Sequence, residues 1–401
     1  MFNILKHIPS SISKLHRNVF PVSGKGSWIT DNTGCKYLDF TSGIGALSLG
    51  HSHPAVIRAV NSQVEKLVHI PQQIFETHPP QIKLTQSLLN ILPPKLDTIF
   101  YTNSGSEATD NALKIARKHT GKTNIIAFQR GFHGRTIGAL SVTSSGIASK
   151  FKSQPLIPGV FFCHDFEKES LDNILRYNTS PDETAAIIIE PVQGEGGVIS
   201  VPQDFLKYIR QICTDHNIMM IVDEIQCGSG RTGKWWNIES KDVVPDMLNF
   251  GKGIGCGFPI AGIATQHDVM NCGANYLGGT YGGNAISSVV ASTTIDVINN
   301  ENILDNVNAK GKLIKSSLEN EPLIKEIRQY GLMIGFEFEF SYNSSLVERL
   351  VHDLQKYCDI LVLLAGDQNQ YIRILPPLNI NSSDTELFIS RFKYALEELV
   401  K

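Results

Sequence analysis

The sequence predicts an α/β protein with a mostly parallel sheet, followed by a second, smaller α+β layer. From about residue 55 to residue 290, helical patterns alternate with short apolar runs at 97–101, 124–128, 185–189, 218–222 and 247–250. Continuous apolar runs separated by helices are typical of parallel strands that are covered on both faces. Beyond about residue 300 the pattern changes to helix, strands near 335–338, helix, a strand at 371–375 and a final helix.

Composition is compatible with this fold and excludes several classes of protein. The chain has 401 residues, of which 42% are hydrophobic and 19% charged, and its formal net charge is -3. This length is enough for two domains with a large core. The nearly neutral balance argues against nucleic acid as the main partner. No apolar stretch reaches the roughly 18 residues that a membrane helix needs.

The first forty residues combine a basic leader with two predicted strands. Residues 26–40 are expected to form two short strands around a polar turn. Residues 1–30 contain no acid, and their basic and apolar residues alternate, so residues 1–18 are compatible with a mitochondrial presequence or with a surface helix. Seven dispersed cysteines without a C-x-x-C pair indicate reduced thiols inside the cell. We expect a cytoplasmic protein, with the mitochondrial matrix left open.

A helix start follows the run at 97–101. Ser104 and Glu107 have the spacing of a capping box, and Gly121 is a plausible end of the helix. The free backbone N–H groups of Gly105 and Ser106 at such a start can bind a phosphate. Without other signals, the same pattern is typical of a plain helix cap.

Lys252 and Asp223 are the most informative pair in the chain. Lys252 lies on a glycine-flanked loop just past the run at 247–250, and Asp223 ends the run at 218–222. A lysine amine can form a Schiff base with pyridoxal 5'-phosphate, and a carboxylate can pair with its pyridinium nitrogen. The pair therefore indicates a pyridoxal phosphate enzyme.

Two further segments follow predicted strands and supply matching chemistry. Phe132 can stack on a flat cofactor ring, and Arg135 can clamp a carboxylate with its planar guanidinium group. Glu190 comes directly after the run at 185–189. Because ligands collect at the carboxyl ends of strands in open α/β sheets, we expect Glu190, Asp223 and Lys252 to converge there.

Two other motifs are rejected as sites. Residues 228–234 match the first seven positions of a P-loop, but Trp235 stands where the Mg²⁺-binding Ser or Thr belongs. His51 and His53 form an H-x-H pair without a partner at zinc spacing, so we interpret them as turn and packing residues.

From about residue 20 to its C-terminus, the chain resembles the class III pyridoxal-phosphate-dependent aminotransferases. The matching blocks are LDFTSGI at 38–44, GHSHP at 50–54, NSGSEA at 103–108, FHGRT at 132–136, EPVQGEGG at 190–197, DEIQ at 223–226, GKG at 251–253, GGTYGGN at 278–284 and IRILPPL at 372–378. One departure is Arg328-Gln329-Tyr330-Gly331, where the family usually has Arg-Gly-x-Gly, and it puts the local turn in doubt.

The resemblance implies the fold type I architecture and a set of residue roles. It implies a large domain around a seven-stranded sheet (56–295), a small domain (296–401) joined by the N-terminal segment (1–55), and a homodimer with shared active sites. The roles implied for cofactor binding are the Schiff base for Lys252, the pyridine nitrogen for Asp223, the ring 3-hydroxyl for Gln226, ring stacking for Phe132 and the phosphate for Ser104, Gly105, Ser106 and the partner's Thr280. Glu190 is expected near the lysine and the ring.

The resemblance also implies a substrate class. Glu195 and Arg373 resemble the ion pair of ω-aminotransferases, in which the arginine is covered while a donor with a distal amine binds. Arg373 then takes the α-carboxylate of 2-oxoglutarate, Arg135 holds the distal carboxylate, and Ile44 belongs to the substrate-binding set. The expected donor is 4-aminobutyrate, with ornithine or N-acetylornithine as alternatives. A racemase on the same scaffold and a fold without catalysis stay open.

Overall fold

The computed structural model describes residues 7, 9, 12, 15, 16, 18–146, 150 and 152–399. The strands of the described chain are β1 (Pro21–Lys25), β2 (Trp28–Asp31), β3 (Lys36–Asp39), β4 (Thr98–Thr102), β5 (Asn124–Phe128), β6 (Val160–Cys163), β7 (Thr184–Ile189), β8 (Val192–Gln193), β9 (Ile199–Ser200), β10 (Met219–Asp223), β11 (Met247–Phe250), β12 (Ala261–Thr265), β13 (Ile324–Tyr330), β14 (Met333–Phe338), β15 (Ile360–Leu361), β16 (Leu363–Ala365) and β17 (Tyr371–Ile374). The α-helices are Ser42–Gly45, Pro54–Val64, Pro79–Leu89, Gly105–Thr120, Ile137–Val142, Lys168–Tyr177, Gln203–Asp215, His267–Met270, Ala285–Asn300, Ile303–Leu318, Ser344–Cys358 and Ser382–Leu399, with 3-10 turns at Asn237–Lys241 and Lys252–Gly255.

A seven-stranded, mostly parallel sheet forms the centre of the molecule, and this prediction is confirmed. Its strand order is β4-β12-β11-β10-β7-β5-β6. β12 runs antiparallel to both of its neighbours, and the other pairs are parallel. The five runs predicted from the sequence form β4, β5, β7, β10 and β11. β6 and β12 were not among them.

The sheet is buried on both faces because successive strand residues pack into different cores. On β10, Met219 and Ile221 belong to a cluster that includes residues of the helix Gly105–Thr120. Met220 and Val222 belong to a second cluster, which includes residues of the helix Gln203–Asp215. The alternation explains why the strands are continuous apolar runs and not alternating ones.

Parallel strands bring their carboxyl ends to one edge of this sheet. The segments after β4, β5 and β7, the last residue of β10 and the loop after β11 all lie at that edge. These are the segments that contain the residues predicted to act on a cofactor. The topology therefore positions the site.

Two smaller four-stranded sheets lie outside the central one. β15 pairs with β3 (Ile360 opposite Leu38), so that N-terminal and C-terminal segments share the sheet β1-β2-β3-β15. The second sheet has the order β13-β14-β17-β16 and packs against the helix Ser344–Cys358. Phe392 of the helix Ser382–Leu399 contacts Phe336 of β14, with 4.9 Å between the ring centres. The domain boundaries at 55/56 and 295/296 stay a prediction.

The unusual segment Arg328-Gln329-Tyr330-Gly331 forms a regular hairpin turn. Tyr330 pairs with Met333, and Gly331 between them has a φ of 55°. A two-residue hairpin turn needs a residue with positive φ, and Gly331 provides it. The turn therefore forms although Gln329 stands where the family pattern has its first glycine. Within the described helices, none combines the length and the apolar character needed to cross a membrane. Most of residues 1–18, the possible targeting segment, lies outside the described residues.

Candidate active site

A cavity of about 130 Å³ opens at the carboxyl edge of the central sheet. Seven of the predicted site residues line it: Gly105, Ser106, Phe132, Glu190, Asp223, Gln226 and Lys252. His133, Gly134 and Ile225, to which the sequence analysis assigned no role, line it as well. Glu190, Asp223 and Lys252 therefore lie at one cavity, as the sequence predicted.

Lys252 begins a short 3-10 turn in a left-handed conformation, with a φ of 43°. A side chain at Gly253 would place its Cβ 2.5 Å from Ser48 Oγ, so the tight packing here requires glycine. Burial lowers the pKa of Lys252 from its ordinary value, although the carboxylate of Glu195 partly opposes this effect. A lysine with a lowered pKa has more of the uncharged amine that acts as a nucleophile or a base.

Asp223 is buried and is held by a histidine. His133 Nδ1 lies 2.8 Å from Asp223 Oδ2, and the backbone N–H of Ile225 donates to Oδ1 at 3.1 Å. Burial alone would lower the pKa of His133, but the hydrogen bond and the charge of Asp223 outweigh it and raise that pKa. The two hydrogen bonds therefore hold the carboxylate of Asp223 in a fixed orientation beside the cavity. The signal for His133 was its place within the FHGRT block.

Glu190 is a second buried carboxyl group at the cavity. Its oxygens accept hydrogen bonds from the backbone N–H groups of Phe132 at 2.8 Å and of Gly194 at 3.3 Å. Burial raises the pKa of Glu190 to about 7, and the nearby charge of His133 opposes this rise. The hydrogen bonds connect the loop after β5 to the loop after β7.

The start of the helix Gly105–Thr120 forms one wall of the cavity. Ser104 caps this helix by accepting from the N–H of Glu107 at 3.3 Å, and Gly121 ends it in the left-handed conformation. The carboxylate of Glu107 accepts from the N–H of Asn103 at 2.6 Å and not from that of Ser104, which differs from the expected capping box. The N–H groups of Gly105 and Ser106 have no acceptor within the helix.

Glycines allow the loops to approach this helix start closely. A Cβ at Gly105 would lie 2.7 Å from a side-chain carbon of Ile225. A Cβ at Gly134, which has a φ of 138°, would lie 2.3 Å from Ser106 Oγ. The result is a narrow cradle lined by backbone N–H groups and hydroxyl groups.

Glu195 and Arg373 form an ion pair next to the cavity. Arg373 is only 2% exposed, and its Nη2 donates to Glu195 Oε1 at 2.8 Å. Its Nη1 donates to Gln226 Oε1 at 2.5 Å, which connects the pair to the cavity lining. Burial would raise the pKa of Glu195, but the charge of Arg373 outweighs it and lowers that pKa.

Besides Ser104, Glu195 and Arg373, three more of the predicted substrate or cofactor residues lie outside the cavity lining. The guanidinium carbon of Arg135 is 5.7 Å from the centre of the Phe132 ring, close to the cavity. Ile44 is 47% exposed, and Thr280 is exposed. Their roles stay predictions.

The donor set of this cavity fits pyridoxal phosphate. It combines a lysine amine of lowered pKa, a buried carboxylate, an aromatic ring and a helix start with unpaired N–H groups. A Cβ at Gly105 or at Gly134 would collide with Ile225 or Ser106, so the narrow cradle at the helix start requires both glycines. Fold and site together define an enzyme of the pyridoxal-phosphate-dependent class.

The chain belongs to the class III aminotransferases, because the family described as Aminotransferase class-III matches residues 11–396. Enzymes of this family depend on pyridoxal phosphate and use an amino donor and an oxo acid as small-molecule substrates. The predictions of the family, the enzyme class and the cofactor are therefore confirmed.

Several curated relatives match nearly the whole chain. The acetylornithine aminotransferase of Methanopyrus kandleri is 36% identical over 96% of this chain and 97% of its own. The 5-aminovalerate aminotransferase of Pseudomonas putida is 35% identical, covering 92% of this chain and 91% of its own. The probable 4-aminobutyrate aminotransferase of Bacillus subtilis is 34% identical, covering 90% and 89%. Among solved structures, a transaminase from the marine bacterium Virgibacillus superposes with a TM-score of 0.93 at 26% identity, covering 99% of this chain and 98% of that one.

Proposed function

We propose that this enzyme is an ω-aminotransferase, which moves the terminal amino group of an ω-amino acid to 2-oxoglutarate and gives a semialdehyde and glutamate. The main support for this proposal is the ion pair of the buried Arg373 with the partly exposed Glu195 at 2.8 Å. An arginine at this depth must be compensated by a negative charge at every stage of the reaction.

The ion pair suits a reaction with two differently charged substrates. A donor with a terminal amine has no carboxylate beside the reacting carbon, so Glu195 compensates Arg373 while this donor is bound. 2-Oxoglutarate has an α-carboxylate at that place, which replaces Glu195 as the partner of Arg373 because a guanidinium group binds carboxylates in a bidentate manner. Arg135, at the edge of the cavity, would hold the distal carboxylate of either substrate.

The residues around the cavity have separate tasks in the proposed reaction. Pyridoxal phosphate, when bound, supplies the ring that accepts electrons from the donor carbon. Lys252 Nζ would remove a proton from the donor carbon that bears the amine and, as a general acid, deliver it to the former aldehyde carbon of the cofactor. Asp223, held by His133, keeps a proton on the pyridine nitrogen. Gly105, Ser106 and Ser104 would bind the phosphate, Phe132 would stack on the ring, and Gln226 would orient the ring hydroxyl.

4-Aminobutyrate is the donor that we favour. The stretch at 363–366 that leads to 371–373, and the block at 277–280, resemble the corresponding stretches of 4-aminobutyrate aminotransferases. The relatives named for 4-aminobutyrate and 5-aminovalerate also support a donor with a terminal amine.

Acetylornithine or ornithine is the second candidate. The Methanopyrus kandleri relative reported above is named for acetylornithine. The FHGRT block at 132–136 and the short total length of the chain also resemble acetylornithine aminotransferases. Its free amine is likewise distal to the α-carbon, so the logic of the ion pair is the same.

We also propose that the enzyme works as a homodimer with shared active sites. Large apolar side chains lie exposed around the segments 68–75 and 278–283: Val68, Ile74, Phe75 and Tyr281. Tyr281 lies beside His69, with 4.9 Å between the ring centres, so the two segments form one surface. A second copy that covers this surface would bring Thr280 of the partner subunit to the phosphate.

The test is a single-turnover spectrum of the purified enzyme mixed separately with 4-aminobutyrate, N-acetylornithine, ornithine and L-leucine. The expected result is loss of the visible cofactor absorbance with one terminal-amine donor and its recovery on addition of 2-oxoglutarate. An L-amino acid that loses optical rotation without any oxo acid would instead identify a racemase.

A further inference from the structure

The loop that contains Glu195 lies across the C-terminal sheet between two arginines. Arg328 on β13 is paired with Gly335 on β14, and Gly335 is paired with Arg373 on β17. Directly paired residues of antiparallel strands project to the same face of the sheet. A Cβ at Gly335 would lie 2.8 Å from the carbonyl oxygen of Gly197. Because Gly335 has no side chain, the loop can lie against the sheet between the two arginines.

Each arginine holds a different part of this loop. Arg373 binds the carboxylate of Glu195, and Arg328 Nη1 donates to the carbonyl oxygen of Gly197 at 2.8 Å. The backbone carbonyl of Glu195 is held separately by the N–H of Gly366 at 2.8 Å.

Arg328 is itself fixed from several sides. Its guanidinium carbon lies 4.6 Å from the centre of the Tyr371 ring, and its other nitrogens pair with Glu326 and Glu337. Those two carboxylates balance its charge, so it is suited to orient the loop and not to bind a substrate carboxylate. Tyr371 also blocks the loop from the side, since a Cβ at Gly197 would lie 2.5 Å from its ring.

The held part of the loop has a strained backbone. Gly197 has a φ of 110° and Val198 a φ of 60°. A β-branched residue with positive φ is a true outlier, and it persists only where the surroundings impose it. Without Arg328, Val198 would relax and the loop would turn Glu195 away from Arg373.

We propose that Arg328 is a positioning residue that keeps the Glu195 loop closed on Arg373. It thereby sets the preference of the site between terminal-amine donors, which need the closed pair, and substrates with an α-carboxylate, which displace Glu195. This inference rests on the proposed function, because it takes the two half-reactions to need different positions of Glu195.

The test compares the two half-reactions of the cofactor-loaded enzyme by stopped-flow absorbance, with the terminal-amine donor and with glutamate. In Arg328→Gln we expect the ratio of kcat/KM for the donor to that for glutamate to fall about tenfold. Arg328→Lys is expected to give an intermediate ratio, since an ammonium group donates to the Gly197 carbonyl but lacks the planar face that stacks on Tyr371. Tyr371→Leu, which loosens the same contact from the other side, should shift the ratio in the same direction.

Lys325→Gln is the matched control, because Lys325 pairs with the same Glu337 and is separate from the Gly197 contact. Its ratio should stay within about twofold of the wild type. Equal losses in both half-reactions of Arg328→Gln, with a lower melting temperature, would mean a merely structural role and overturn the inference. An unchanged ratio in Arg328→Gln, with a shifted ratio in Glu195→Gln, would overturn it while the proposed function stands. A wild-type enzyme that converts no terminal-amine donor would overturn the proposed function and this inference together.

Discussion

Asp223 ends strand β10 and Lys252 lies in the loop after the neighbouring strand β11, and the chemistry of both residues depends on burial at one cavity. Burial lowers the pKa of the Lys252 amine, whereas His133 keeps Asp223 oriented. The lysine was recognisable from its glycine-flanked motif. The hydrogen bond of His133 to Asp223 was not, because a contact between residues 90 positions apart has no local sequence signal.

Replacing Lys252 with alanine should abolish steady-state turnover and shift the visible absorbance of the bound cofactor. The amine is the nucleophile for the cofactor and the base for the donor carbon, and alanine has neither function. Absorbance spectra and a coupled glutamate assay measure the two effects. Retention of turnover would contradict the assignment of Lys252. Lys325→Gln, on an exposed strand position, serves as the control.

A second residue-scale prediction concerns Glu224, which is fully buried and is not assigned a catalytic role. The N–H of Ile238 and the thiol of Cys227 both donate to its carboxylate, and burial raises its pKa from 4.5 to about 7. The folded state therefore binds this proton more tightly than the unfolded state. The stabilising contribution is complete below pH 4.5 and is lost as the pH rises through about 7.

Glu224→Gln should accordingly remove the decline of stability that this carboxyl group causes between about pH 4.5 and pH 7. The shift corresponds to about 3 kcal/mol, so the variant should unfold at a higher urea concentration than the wild type at pH 8, and at a similar one near pH 4.5. Urea midpoints at several pH values provide the measurement. Parallel pH profiles for the variant and the wild type would show that the burial argument is wrong. Glu319→Gln, at an exposed helix end, should leave the profile unchanged.

At the scale of elements, the loop after β5 must pack against the start of the helix Gly105–Thr120. Gly134 makes this possible, since its φ of 138° and the 2.3 Å from a Cβ to Ser106 Oγ both exclude a side chain. The helix was predicted with its cap and its end from local signals. The packing of the loop against it was not, because it depends on an approach between two segments.

Gly134→Ala should destabilise the enzyme by about 2–4 kcal/mol and weaken pyridoxal phosphate binding at least tenfold. Gly273→Ala is the matched control, because Gly273 also has positive φ (93°) but no atom within 4 Å of its Cβ position. The control should lose about 1–2 kcal/mol from backbone strain alone and keep its cofactor affinity. Urea unfolding and cofactor titration distinguish the two, and equal affinities in both variants would refute the packing argument.

At the scale of the whole molecule, the exposed apolar surface around Ile74 and Tyr281 predicts assembly. Ile74→Asp would place a charge in the proposed dimer interface, where burial without a partner is costly. We expect a monomer with little activity, measured by light scattering after gel filtration. Tyr177→Asp is the control, because Tyr177 has the same 73% exposure as Ile74 and lies at the end of the helix Lys168–Tyr177. A dimer that persists in Ile74→Asp would place the interface elsewhere.

The sequence by itself determined the fold class, the family, the cofactor and most of the cavity residues. These depend on local patterns: apolar runs for β5, β7 and β10, the cap at Ser104, and glycines around Lys252. Only the tertiary structure decided that His133 holds Asp223, that Gln226 bonds Arg373 and that Arg328 reaches the Glu195 loop. It also added β12, the antiparallel strand, whose small residues pair with β4 and β11. The physical reason is that burial and contacts between distant residues set these positions, whereas spacing along the chain sets only which side chains share an element.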